Sequence, residues 1–311
     1  MKRKLTQLAL FFVGLVLVLG LLFLQTFSSA PLSKPEAFSG SLPAASPPPE
    51  MAMFHLPTGL IHRSAAFGYR GGSFSDKRDF AMSAILVKHP KGDLLIDAGF
   101  SSDVDAHFAK MPLLFRLGTS YEKKIPAAIQ LAKAGYDSKK LRGILLTHAH
   151  WDHASGLADF PKIPVLVTAD EHKFINSENV WADVARGIPG VNYEEYKLEE
   201  KPYLGFAKSL DFYGDGSIII VAAPGHTPGS IIVFVTLPNG RRYALVGDLV
   251  WQREGISLRE ERAWLFHRSA DSEPAQVREN ILRMSALDLR FPELIIVPAH
   301  DARAYAEIPS V

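Results

Sequence analysis

Hydrophobic positions follow two periods along this chain. Short runs of aliphatic and β-branched residues recur at 81–87, 93–97, 142–147, 163–168, 217–223, 230–237, 241–246 and 293–297, most of them bounded by Gly, Pro, Asn or Asp, and these predict strands. Between them, apolar positions repeat at helical spacing over 125–134, 169–176 and 272–287. The last of these opens on Ser272 with Pro274 in its first turn, as a helix start should. Lys91-Gly92 parts two apolar runs and predicts a hairpin turn. Strands interleaved with helices predict an α/β domain with sheet-dominated cores. No short-period internal repeat is visible.

The N-terminus breaks this pattern. Lys2-Arg3-Lys4 precedes seventeen uninterrupted apolar or Gly residues at 8–24, followed by Ser28-Ser29-Ala30. Residues 1–30 therefore predict a signal peptide or an uncleaved transmembrane anchor, and the length of the apolar stretch tips the balance towards the anchor. In either case the basic cluster stays cytoplasmic, so the rest of the chain is expected outside the cytoplasm, periplasmic or tethered to the membrane. Residues 31–52 form a linker, with Pro31, Pro35, Pro43, Pro47, Pro48 and Pro49 among Ser, Ala and Gly. Fully extended, it would reach roughly 60 Å. The folded domain is expected over 53–311. Within it, the Gly-rich segment 68–76 lacks the Gly-Lys-Ser/Thr ending of a phosphate loop and predicts a mobile loop.

Composition narrows the function. With 47% hydrophobic residues among 311, the chain can bury a substantial core. Lys plus Arg number 34 against 33 for Asp plus Glu, which argues against a broad electrostatic grip on nucleic acid and favours a small, neutral or apolar substrate. Cysteine is absent, so a metal here must be held by His, Asp, Glu and water, and no thiol nucleophile is available.

The candidate chemistry starts at His148-Ala149-His150-Trp151-Asp152-His153, which places four metal-ligand side chains in six residues at the end of a predicted strand. Side chains two apart in extended chain point the same way, so His148 and His150 can grip one ion together. Asp152 and His153 follow a bend and can face a second. Three more candidates follow other apolar runs: His226 in Pro224-Gly225-His226-Thr227-Pro228-Gly229, Asp248 in Val246-Gly247-Asp248, and His300 in Pro298-Ala299-His300-Asp301. Seven candidate ligands exceed what one tetrahedral ion uses, so two divalent metal ions, zinc first among them, are the natural reading. His55, His62, His89, His107 and His172 stand outside such a pattern and are expected to be ordinary surface or core residues.

These residues, in this order, resemble the metallo-β-lactamase superfamily of dinuclear hydrolases. Leu94-Leu95-Ile96-Asp97-Ala98-Gly99 is similar to that family's early strand ending in Asp-x-Gly, and the likeness runs from about residue 80 to 300. It implies a four-layer αβ/βα sandwich with the metals at one edge. By position, His148, His150 and His226 would hold the first ion, Asp152, His153 and His300 the second, with Asp248 bridging. Asp97 would orient a ligand through a hydrogen bond.

Two such ions supply hydroxide from a shared water at neutral pH, so the expected reaction is hydrolysis of a lactone or ester carbonyl, with Asp152 carrying a proton to the leaving group. Residues 83–99 look most like the acyl-homoserine lactonases. Those enzymes place a Tyr where this chain has Trp251, whose indole donates one hydrogen bond but cannot shuttle a proton. Trp251 is therefore a candidate wall of the substrate pocket. Residues 251–268, with Arg253, Trp264, Phe266, His267 and Arg268, could cap an apolar substrate or face a membrane, and Arg253 and Arg268 could meet a substrate carboxylate. Thioester or β-lactam hydrolysis, or a non-catalytic envelope scaffold of the same fold, stand as alternatives.

Overall fold

The computed structural model describes residues 2–264, 266 and 270–310. Among these, twelve strands make two sheets. They are β1 (Ala52–Ser64), β2 (Lys77–Lys88), β3 (Asp93–Ile96), β4 (Tyr121–Lys123), β5 (Leu141–Leu145), β6 (Val165–Thr168), β7 (Tyr193–Tyr196), β8 (Ser209–Asp211), β9 (Ile218–Ala222), β10 (Ile231–Thr236), β11 (Arg242–Gly247) and β12 (Leu294–Pro298). One sheet runs in the order β4-β1-β2-β3-β5-β6-β7, the other β12-β11-β10-β9-β8. The eight expected strands are all present, with ends moved by a residue or two; β2 alone starts well before 81, at Lys77. The three expected helices are Ala127–Lys133, Ala169–Ile175 and Pro274–Arg290. The last carries the chain from β11 to its parallel neighbour β12, a crossover that parallel strands require.

Why the strands read as unbroken apolar runs is clear from burial. Ile218 and Ile220 of β9 point into a cluster between the sheets with Ile85, Val87, Leu94, Ile96, Leu145, Val233 and Leu245. Their neighbours Ile219 and Val221 point the other way, onto Val277, Ile281, Met284 and Leu287 of helix Pro274–Arg290. The outer face of the first sheet is covered likewise by Leu131, Trp151, Phe174 and Val184, which meet Leu56, Leu86, Leu95 and Ile144. Three apolar interfaces separate four layers, helices outside and two sheets within, so both faces of each central strand are dry.

Three expectations change. The first strand of the domain, β1, escaped the apolar pattern because Pro57-Thr58-Gly59 reads as a turn; in the structure it is a bulge, where the register with β2 slips between Pro57 and Gly59. The Gly-rich segment 68–76 is not a free loop. It packs tightly: a Cβ on Gly72 would sit 2.4 Å from the Ala65 carbonyl, and one on Gly68 would sit 2.5 Å from the Gln252 side chain. The Pro-rich linker has no regular structure, yet it lies on the domain. Leu32, Phe38 and Leu42 pack on the outer cluster of the second sheet, and Ser46 N–H donates to the Asp215 carbonyl at 2.7 Å.

The N-terminal helix Lys2–Phe27 holds 26 residues. Its segment Thr6–Phe27 is long and apolar enough to cross a membrane, and none of it is buried in the domain along its most apolar stretch.

Candidate metal centre

Five strands end at one edge of the sandwich, and each delivers chemistry within four residues of its end. β3 is followed by Asp97, β5 by Thr147 and His148, β9 by the Pro224–Gly229 turn with His226, β11 by Asp248, and β12 by His300. His150 sits at the start of the one-turn helix Trp151–Ala154, which turns Asp152 and His153 back towards the same point. The turn before His226 depends on Gly225, at φ 137°, where a Cβ would come 2.7 Å from Val277 N.

All seven candidates converge. His148, His150 and His226 bring ligand atoms within 4.8 Å of one another, as do His148, His153 and Asp248, and Asp152, His153 and His300. Asp248 lies at the centre: its carboxylate oxygens stand 3.1 Å from His300 Nε2, 3.2 Å from His153 Nε2, 3.5 Å from His226 Nε2 and 3.9 Å from His148 Nε2. These distances are too long for covalent contact and right for groups sharing cations between them.

The test of fit is what these atoms lack. Nε2 of His148, His153 and His226 and Oδ1 of Asp248 are buried without any hydrogen-bond partner. Leaving such groups bare costs about 1–3 kcal/mol each, so convergent bare lone pairs fit a cation. The opposite ring nitrogens are tied down. Nδ1 of His153 meets Asp97 Oδ2 at 2.8 Å, Nδ1 of His226 meets Asp271 Oδ1 at 2.8 Å, and Nδ1 of His300 meets the Ala81 carbonyl at 2.8 Å. An acceptor at Nδ1 keeps the proton there and turns the Nε2 lone pair inward.

Electrostatics divide the imidazoles. Burial, together with the neighbouring imidazoles, pushes His148 and His150 well below the usual histidine range, which keeps them neutral donors. Burial opposes charge on Asp248 as well, but His300 and His153 outweigh it and hold the carboxyl well below its usual range. His153 is driven the other way: Asp97 and Asp248 overcome its desolvation and raise it well above the usual value.

Asp97 does more than close its own turn. It adopts φ 55°, rare for a residue with a Cβ. In that pose it accepts from Thr147 N at 2.7 Å and Thr147 Oγ1 at 2.8 Å while holding His153. Trp251 lines a cleft, and its Nε1–H also donates to Asp248 Oδ2 at 2.8 Å. That second role was not foreseen.

Three further residues carry no local signature in the sequence. Glu171, in the helix Ala169–Ile175, accepts from Ala149 N at 2.6 Å, Thr227 Oγ1 at 2.6 Å and Gly229 N at 3.0 Å, stapling the His148–His150 loop to the His226 turn. Asp271 orients His226. Buried Arg262 ion-pairs with Asp271, donates to the Asp248 carbonyl and lies 4.7 Å over the Trp251 ring. Arg253 is engaged by Asp288 at 2.6 Å and is not among the residues lining the cleft. His267 and Arg268 lie outside the described residues. The isolated histidines are satisfied elsewhere, as His62 with Asp79, His89 with Asp215 and His107 with Ser155 show.

Above the cluster opens a cleft of about 840 Å³ including its mouth, walled by Ile61, Phe67, Phe80, Met82, Phe115, Trp151, Trp181, Trp251 and Phe266. Arg63, His150, Asp152, His226, Asp248 and His300 supply its polar groups.

Known proteins resemble this chain in sequence and in fold. The family model described as the metallo-beta-lactamase superfamily matches residues 78–300. A probable metallo-hydrolase of Mycobacterium tuberculosis is 31% identical over 286 residues, covering 86% of this chain and 85% of its own. The solved structure of AiiA from B. thuringiensis with N-decanoyl-L-homoserine bound at the active site matches with a TM-score of 0.65 at 17% identity, over 83% of this chain and 96% of that one. AidC, a dizinc quorum-quenching lactonase in complex with a product, matches with a TM-score of 0.54 at 20% identity, over 83% of this chain and 90% of that one. The family match takes in each of the converging imidazoles and carboxylates, and this chain, a metallo-hydrolase with a His/Asp metal-binding cluster, belongs to the metallo-beta-lactamase superfamily.

Proposed function

We propose that the protein is a dinuclear zinc hydrolase acting outside the cytoplasm on the lactone or ester carbonyl of a small, neutral or apolar substrate. The observation that carries the proposal is the set of buried, partnerless Nε2 and carboxylate atoms gathered around Asp248. In it His148, His150 and His226 would hold one ion and Asp152, His153 and His300 the other, with Asp248 available to both. Divalent cations held there would supply an activated water and polarise the carbonyl.

The chain's own residues do the rest. Asp97 and Asp271 hold His153 and His226 in the tautomer that ligation needs. Trp251 fixes the rotation of the Asp248 carboxylate. Asp152 lines the cleft, which places it where it could pass a proton to the departing oxygen, and its Oδ2 lies 3.4 Å from His300 Nε2. The aromatic walls exclude water and suit an apolar acyl group rather than a charged one. A glutathione thioester fits less well, because Arg303 of the C-terminal tail is already paired with Asp301 and Glu254.

The test is metal analysis with turnover on a panel of acyl lactones, aryl esters, thioesters, β-lactams and phosphodiesters. Wild type should carry about two zinc ions per chain and turn over lactones or esters fastest. Asp248→Ala and His226→Ala should each lose metal and abolish hydrolysis while keeping the far-ultraviolet circular dichroism of the wild type. Full activity in either variant defeats the assignment, and preference for another bond type corrects the substrate class.

A further inference from the structure

The end of the N-terminal helix is built into the wall of the cleft. Phe27, its last residue, is only 5% exposed and sits in an aromatic nest with Ala66 and Ala263. Its ring centroid lies 5.7 Å from Phe67, 4.9 Å from Phe74 and 6.3 Å from Phe266. Phe67 and Phe266 are the same side chains that line the cleft. The backbone just beyond is held as firmly. Gly71 N donates to the Phe27 carbonyl at 2.8 Å, Arg70 Nε to the Ser28 carbonyl at 2.9 Å, and Ala30 N to Glu260 Oε2 at 3.0 Å. Gly71, at φ 82°, leaves no room for a side chain, since its Cβ would meet Ser29 Cβ at 2.9 Å. Residues 27–30 are thus a folded part of the catalytic domain, not a free stalk.

This contact locates the cleft. Thr6–Phe27, 22 residues, spans about 33 Å at the helical rise of about 1.5 Å per residue, close to the roughly 30 Å of a bilayer's hydrocarbon core. A bilayer spanned by this helix would end at Phe27, whose ring packs directly on the cleft-lining Phe67 and Phe266. Three apolar side chains near it face out of the domain. Helix Leu113–Leu117 turns Phe115 into the cleft and leaves Leu113, Leu114 and Leu117 60%, 84% and 75% exposed. Arg63 joins the two regions: it donates to the Gly118 carbonyl at 2.7 Å and lies 5.3 Å over the Phe67 ring. Three adjacent outward leucines have no use in water, and single exposed apolar residues do not cluster in this way.

We propose that the uncleaved N-terminal helix holds the cleft mouth against the outer surface of a bilayer, with Leu113, Leu114 and Leu117 dipped into it. The substrate then enters from the lipid: an amphiphile with an ester or lactone head and an acyl tail long enough to remain in the membrane. The substrate half of this inference rests on the hydrolase reading above; the orientation half does not.

The chain has no cysteine, so one introduced thiol can be labelled cleanly. Full-length protein carrying Leu114→Cys, or Asn239→Cys at the exposed turn between β10 and β11 at the opposite edge, is labelled with a polarity-sensitive dye and reconstituted in phosphatidylcholine vesicles containing nitroxide lipid. Dye at position 114 should be quenched severalfold more than dye at 239. Equal quenching overturns the orientation whether or not the enzyme is active. The intact mass of chain from the membrane fraction should include residues 1–30, and a mature chain beginning at Pro31 overturns the anchor. Leu114→Glu/Leu117→Glu should lower kcat/KM at least tenfold for a dodecanoyl lactone presented in vesicles while leaving a soluble butanoyl lactone within twofold. Unchanged turnover of the vesicle-borne lactone overturns delivery from the lipid, and absence of turnover on both lactones by wild type overturns the substrate half along with the lactone reading, while the quenching contrast still decides the orientation.

Discussion

At the scale of single residues, the position after Asp248 by three decides how the central carboxylate is held. A carboxylate within 4 Å of four imidazole nitrogens has several competing rotations, and the Trp251 Nε1–H at 2.8 Å from Oδ2 selects one. The indole also covers Arg262, which binds the Asp248 backbone carbonyl from behind. Trp251→Phe keeps the apolar wall and removes the donor. Its expected effect is a fall of about 10–100-fold in metal affinity or kcat, the range for losing a group that orients a ligand. Melting temperature should stay within about 2 °C, since no large cavity opens. Competition with a chromogenic chelator and steady-state kinetics would show it; a variant binding metal as tightly as wild type and turning over at the same rate means the indole is only a wall. This residue illustrates what sequence can and cannot disclose. That Trp251 belongs to the site follows from its spacing to Asp248, but its hydrogen bond depends on a rotamer that only the packed cleft defines.

At the scale of elements, the centre depends on loops being registered against one another, and Glu171 is the fastener. It is fully enclosed, so burial pushes its carboxyl up to about 7, with the hydrogen bonds from Thr227, Ala149 and Gly229 pulling the other way. In the unfolded chain the same group titrates near its ordinary 4.5. The folded state therefore keeps a proton that the unfolded state has lost between these values, and the stability contributed below about 4.5 drains away as pH rises through 7. The loss is on the order of 3 kcal/mol at most. Glu171→Gln cannot titrate. Urea unfolding from pH 5 to 8 should show the variant gaining on wild type by an amount of that order, over a constant offset from its altered hydrogen bonds. Parallel curves would mean that the glutamate is ionised throughout. The seven clustered residues were legible because each follows an apolar run and is marked by its immediate neighbours. Glu171 was not, because it sits in an ordinary amphipathic helix and its partners are 22 to 58 positions away. For the same reason β1 was hidden behind Pro57 and Gly59, whose turn-like signature describes a bulge when the neighbouring strand β2 is present to receive it.

At the scale of the whole molecule, two N-terminal attachments divide the labour. Residues 27–30 grip the aromatic nest and Glu260 beside the cleft, whereas the Pro-rich strap runs to the far layer. There Phe38 stacks edge-on with Phe291 at 5.8 Å, and Arg242 Nη1 donates to the Pro43 carbonyl at 2.8 Å. Proline content foretold the extended backbone but not its docking, because the contacts come from the few apolar side chains spaced between the prolines. Since Phe27 packs on the cleft-lining Phe67 and Phe266 and the strap packs on the far layer, the strap should contribute stability without setting orientation. Phe38→Ala/Leu42→Ala removes half-buried side chains and is expected to cost about 1–3 kcal/mol, read as a lower urea midpoint with an unchanged slope. The contrast in nitroxide quenching between dyes at positions 114 and 239 should survive. If it collapses while the domain remains folded, the strap and not the aromatic nest orients the cleft, because a tether that merely followed the anchor could be loosened without moving the mouth away from the lipid.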